Sequence, residues 1–191
     1  MNKIILDDIL GFFAYEKVRQ KFRDDIIEKK KLRRISIGDK VSMVFENRDT
    51  VIFQIQEMLR AERITDLDKI REEIAVYNEL VPNPGELSAT LFLEIEDQSH
   101  LREDLLQFLG IDEAVALKIG EYVIPGRFEE GHSKEDKISA VQYVRFSLNS
   151  EARQAFARGE PAELVIDHPN YKARAILGVE VQKSLAEDLV N

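Results

Sequence analysis

The sequence predicts an α+β protein in which an antiparallel or mixed sheet, formed mainly by the second half, is covered on one face by amphipathic helices mainly from the first half. Three observations carry this reading. Stretches with apolar residues at helical spacing cluster before residue 82, and stretches with alternating apolar residues cluster after residue 86. The regular strand-helix alternation of a doubly wound sheet is missing. Finally, 191 residues with 44% hydrophobic content are enough for a core that buries roughly 70% of the unfolded surface. Residues 1–191 are therefore read as a single domain, with a helix-rich subregion 1–82 and a strand-rich subregion 86–191.

The first helix is expected from Tyr15 to Arg34, where Val18, Phe22, Ile26 and Ile27 fall among charges. Ile35 and Ile37 precede a Gly38-Asp39 turn, and Val41, Met43 and Phe45 alternate after it, which predicts two short strands or one bent hairpin. Glu46 to Thr50 supplies capping residues for a second helix, whose Val51, Ile52, Ile55, Met58 and Leu59 carry it to about Arg63. Thr65 and Asp66 cap a third, with Leu67, Ile70, Ile74 and Tyr77 on its apolar side, stopped at Pro82-Asn83-Pro84-Gly85.

Beyond that stop, Leu87, Ala89, Leu91, Leu93 and Ile95 alternate with polar residues in a half-buried strand. A short helix from about Ser99 to Leu109 ends at Gly110, and Val115 to Ile119 followed by Gly120-Glu121 and Val123-Ile124 reads as a hairpin. Gly126 to Lys137, with two glycines and many charges, is expected as an exposed, mobile loop. A strand at Ala140 to Leu148, a helix at Glu151 to Ala157, a hairpin of Ala162 to Asp167 with Tyr171 to Leu177, and a final helix at Val181 to Leu189 complete the chain.

Composition removes several classes of function. Lys and Arg number 27 against 36 Asp and Glu, and the net charge of -9 repels phosphate backbones and anionic lipid, so neither nucleic acid nor membrane is an expected partner. The chain has no cysteine, which excludes disulfides, thiol nucleophiles and thiolate metal sites. Asp7 and Asp8 break the apolar N-terminal run, and no stretch of about 18 apolar residues exists, so a cytoplasmic location is expected.

Neither GxGxxG nor GxxxxGK[ST] occurs, and Gly120 to Gly126 has the wrong spacing for either; GxSxG is also missing. Glu129-xx-His132 and Asp97-xx-His100 echo a carboxylate-histidine metal pattern, but the first lies between Gly126 and Lys137 where no helix is expected, and the second suits a helix start. No metal and no cofactor are expected. Tyr15 to Arg34 holds nine basic and four acidic side chains, and Lys29, Lys30, Lys31, Arg33 and Arg34 gather at a helix end, where cations complement the helix dipole. A basic stretch on an acidic protein suits docking between unlike surfaces, self-association included.

The segment FENRDTVIFQIQEMLRAERI, Phe45 to Ile64, is the most unusual local string. Gln54, Gln56, Glu57 and Arg60 flank its apolar stripe, and Glu57 and Arg60 are spaced to pair at i, i+3. The simpler reading is a polar network fixing helix to sheet. The functional reading is a ligand site of Arg48, Glu57 and Arg60 with help from His168. That reading expects the Glu57 carboxylate to meet Arg60 or another Arg of this segment beside a solvent-reachable depression.

This string, together with YEKVR at Tyr15 to Arg19, EIAVYNELVP, SAVQYVRFSL and DHPNY, resembles a bacterial family catalogued as domain of unknown function 3501, over nearly the whole chain. The resemblance implies no catalytic residues. It does imply a context, because members are often encoded beside ferritin-like rubrerythrins and iron-sulfur proteins similar to heterodisulfide reductase subunits. The expectation is a non-catalytic accessory or binding protein of redox or peroxide-response metabolism, with a rubrerythrin-like or iron-sulfur protein as partner and self-association open. A small enzyme or ligand-binding domain at the polar site is the alternative, and a carboxylate-histidine metal-binding protein is a second.

Overall fold

The computed structural model describes residues 1–95, 98–129, 133–134 and 137–190. Helix α1 is Phe12–Lys31, followed by strands β1 (Arg34–Ser36) and β2 (Val41–Glu46). Helices α2 (Arg48–Ala61) and α3 (Leu67–Tyr77) precede β3 (Glu86–Leu93) and α4 (Leu101–Leu106). Next come β4 (Val115–Ile119), β5 (Tyr122–Pro125), β6 (Arg127–Phe128), β7 (Ser133–Lys134), β8 (Lys137–Ile138) and β9 (Val141–Ser147). The chain ends with α5 (Ser150–Ala157), β10 (Ala162–His168), β11 (Tyr171–Ile176) and α6 (Val179–Val190).

Local chemistry accounts for the boundaries. The Asn47 side chain accepts from Thr50 N–H at 3.1 Å while the Thr50 hydroxyl accepts from Asn47 N–H at 2.9 Å, a reciprocal cap that starts α2. Asp66 accepts from the N–H groups of Asp68 and Lys69 and starts α3. Gly38 has φ +77, and a side chain there would collide with the Tyr171 hydroxyl, which donates to Ile37 C=O at 2.6 Å.

The α+β class holds, with every ladder among the described residues antiparallel, but the strands divide between two main sheets. One has the order β1-β2-β3-β9-β6 and the other β11-β10-β4-β5. The first half therefore contributes two strands. Val41, Met43 and Phe45 of β2 join residues of both sheets, α5 and α6 in the larger core. The smaller core is Val51, Ile52, Ile55 and Leu59 of α2 with Ile70 and Ile74 of α3, and Tyr143 of β9 packs against it. Helices thus cover the five-stranded sheet from α2 and α3 and fill the larger core from α5 and α6.

The two sheets meet at Gly126. A Cβ there would sit 2.8 Å from Val144 Cγ2, so glycine alone lets the chain pass from β5 in one sheet to β6 in the other. This corrects the expected loop at its start: Arg127 and Phe128 pair with Arg145 and Val144, and Phe128 packs on the core. The remainder of that stretch lies partly outside the described residues, and its expected mobility with it. Among the described residues, no helix is long and apolar enough to cross a membrane.

Candidate functional site

Tyr15, Arg19, Phe22 and Ile26 recur at i, i+4, i+7 and i+11 and form the face of α1 that meets α2. Only Tyr15 and Ile26 of the helix are buried, so α1 is held by a narrow seam. Within it, Tyr15 and Phe22 meet edge-on with ring centroids 6.0 Å apart, and Phe22 meets Phe53 at the same distance. Lys30 lies over the Phe53 ring at 6.0 Å.

Glu57 is the polar centre of the seam. Its Oε1 accepts from the Tyr15 hydroxyl at 2.7 Å and from Arg19 Nε at 2.8 Å, and its Oε2 accepts from Arg19 Nη2 at 2.7 Å. The fork-on-carboxylate geometry is the strong form of such a pair. The Arg19 hydrogen bond, with that of Tyr15 and the guanidinium charges of Arg19 and Arg60, holds the Glu57 carboxyl below its ordinary value against the opposing effect of burial. Burial, then the Glu57 carboxylate, pushes the Tyr15 phenol far above its usual range. Tyr15 thus stays a neutral donor and Glu57 an anion, which suits structure more readily than proton transfer.

Beside this network lies a pocket of about 320 Å³ walled by Leu10, Phe12, Phe13, Leu59, Leu67 and Ile70, with Tyr15, Gln56 and Arg60 at its edge. Gln56 is buried and closes one side, accepting from Leu10 N–H at 2.7 Å and donating to Leu10 C=O at 3.1 Å. Arg60 pairs with Glu16 of α1 at 2.5 Å. Phe13 is 82% exposed and Leu67 55%, so apolar surface continues outward from the pocket.

The residues singled out from the sequence are not assembled into one site. Glu57 pairs with Arg19 and Tyr15, whereas the sequence pointed to Arg60, because the two helices present complementary charges across the seam and Arg60 turns to Glu16 instead. Arg48, in the first turn of α2, pairs with Asp8 and lines a separate pocket of about 390 Å³ with Lys29, Arg33, Asp49 and Asp188. Nine residues of helix, roughly 14 Å, separate it from Glu57. His168 is in the four-stranded sheet, where Nδ1 accepts from Asn170 N–H at 3.2 Å and Nε2 lies 2.9 Å from Leu109 C=O; both nitrogens hold the turn. Tyr15 and Arg19 were legible as helix-face neighbours by their spacing, but nothing in one helix reveals which acid of another it will meet.

The basic run at the end of α1 and just beyond it is engaged internally. Lys29 pairs with Asp49, Lys31 with Glu28, Arg34 with Glu94 and the buried Arg33 with the buried Asp188. Arg33 also donates to Phe45 C=O at 2.8 Å and to Glu46 C=O at 3.2 Å. Asp97 and His132 lie outside the described residues, and His100 is exposed beside Ser99. Among the described residues, no three His, Asp or Glu side chains gather as a metal site would require.

The comparisons agree with the resemblance noted above. A crystal structure of a novel protein of unknown function from Burkholderia pseudomallei superimposes with a TM-score of 0.93 and 34% identity, covering 98% of this chain and 100% of that one. No curated protein matches. The family model for the protein of unknown function DUF3501 matches residues 3–189, and the chain belongs to that family.

Proposed function

We propose that this chain is a non-catalytic binding protein of cytoplasmic redox or peroxide-response metabolism, and that the exposed end of α1 is where it receives a protein partner. The observation that supports the reading is Phe13, 82% exposed at the mouth of an apolar pocket whose neighbouring polar groups are already engaged with one another. An exposed aromatic side chain beside an apolar hollow has the character of an interface anchor. Glu57, Arg19, Arg60 and Glu16 then act as the frame that fixes α1, leaving the apolar surface to make the contact. The context that the family resemblance implies supplies the first partner to test, a rubrerythrin-like protein, with an iron-sulfur protein similar to a heterodisulfide reductase subunit as the second.

Isothermal titration of the purified chain with each partner tests this directly. Binding tighter than about 100 μM to the rubrerythrin-like protein, lost in Phe13→Asp with an unchanged melt, is the expected result. Absence of binding to both proteins, or equal binding by Phe13→Asp, overturns the reading.

A further inference from the structure

Strand β11 is the outer strand of the four-stranded sheet, paired on one side with β10. Which of its groups face outward follows from the register. Leu177 N–H donates to Ala162 C=O at 2.8 Å, so Ala175, Ala173 and Tyr171 make the bonds to β10, opposite Leu164, Ile166 and His168. Asp167 N–H donating to Ala114 C=O on the far side of β10 sets the same alternation. Lys172, Arg174 and Ile176 therefore turn N–H and C=O to the free edge, where no hydrogen bond reaches them among the described residues.

The same three residues carry exposed side chains on the sheet's outer face. Lys172 pairs with Asp167 at 2.7 Å, Ile176 is 76% exposed, and Arg174 has no carboxylate partner among the described residues. These charges guard against self-association. Two copies of β11 pairing antiparallel through their free groups must align residues of like parity, and the two registers of longest overlap set Arg174 against Arg174 or against Lys172. A strand carrying a carboxylate at that position meets no such barrier.

We propose that the free edge of β11 accepts an extended acidic segment of another protein as a fifth, antiparallel strand, with a carboxylate opposite Arg174 and a β-branched apolar residue opposite Ile176. The backbone groups of Lys172, Arg174 and Ile176 supply affinity, and Arg174 supplies the choice of sign. This surface lies on a different sheet from the one α2 and α3 cover, and the proposal does not rest on the α1 end taking a partner.

The probe is a fluorescein-labelled peptide, Thr-Val-Thr-Glu-Thr-Glu, followed by anisotropy with the intact protein. It is compared with a peptide in which both Glu are Lys, and with one in which the first Glu is Pro. Expected are saturable binding of the acidic peptide below about 1 mM, weakening of at least about tenfold in Arg174→Glu with a gain for the lysine peptide, and no binding of the proline peptide. Phe13→Asp should leave all of this unchanged, which separates the two surfaces. No binding of the acidic peptide at about 1 mM, equal binding by Arg174→Glu, or equal binding of the proline peptide overturns the proposal.

Discussion

Replacing Glu57 with Gln keeps the shape of the α1–α2 seam and removes its charge. Oε1 can still accept from Tyr15 and Arg19 Nε, but the amide nitrogen would face Arg19 Nη2, donor against donor, where a 2.7 Å charged bond now stands. A hydrogen bond to a charged group is worth about 1.5–3 kcal/mol. With the two side chains 25% and 29% exposed, solvent screening reduces this, and a loss of about 1–2 kcal/mol is expected. For a chain of 191 residues that lowers the melting temperature by roughly 3–6 °C at pH 7. The pH dependence is the sharper readout. Glu57 is held below its ordinary value in the fold, so its contribution is fully present above the unfolded-state value of about 4.3 and disappears as pH falls through the lower folded value. Melts followed by circular dichroism should therefore show the gap between wild type and Glu57→Gln narrowing in acid. Tyr15 works in the opposite direction: its raised value gives a contribution present below about pH 10 and lost as pH rises through the folded value, so Tyr15→Phe should make the alkaline limb shallower, while Tyr77, Tyr143 and Tyr171, whose values are also raised by burial, keep the rest of it. A gap of less than about 1 °C at pH 7, or one of the same size in acid, would refute this account of the seam.

Asp188→Ala strands the buried Arg33 guanidinium and should cost about 3–5 kcal/mol, seen as a fall of roughly 10 °C in the melt. Gly38→Ala must hold φ near +77 and displace the Tyr171 hydroxyl, so it should destabilise by about 1–3 kcal/mol in urea unfolding; Tyr171→Phe in the same background should recover part of the loss.

Individual elements were legible where one short stretch contains its own instructions. Asn47 and Thr50 announce α2, Asp66 announces α3, and the alternation of Leu87, Ala89 and Leu91 places β3, although that strand is not half-buried as expected but buried on both faces, with Ser88 and Thr90 inside and Thr90 donating to the buried Glu46. The division into two sheets was not legible, because it depends on a crossing at Gly126 and on a strand of only two residues, Arg127–Phe128, set among charges. Such a strand exists only because β9 offers it partners. The site behaved in the same way: the sequence places Glu57 as a polar residue on the flank of α2, yet its partner came from a helix some 40 positions earlier rather than from the next turn. Spacing within a helix shows which residues share a face; it carries no information on the rotation of the neighbouring helix that selects among them.

The Arg33–Asp188 pair joins positions 155 residues apart. During synthesis from the N-terminus, α1, β1 and β2 leave the ribosome long before the carboxylate that neutralises Arg33 has been made. Until then the guanidinium has backbone carbonyls around it but no counter-charge, and burying it beneath Ser184 and Asp188 of α6 cannot be completed. The last helix therefore functions as a latch on the first strands. Any product terminated before α6 retains an unneutralised cation where the finished protein is dry, and is marked for the chaperones and proteases that recognise incompletely closed chains.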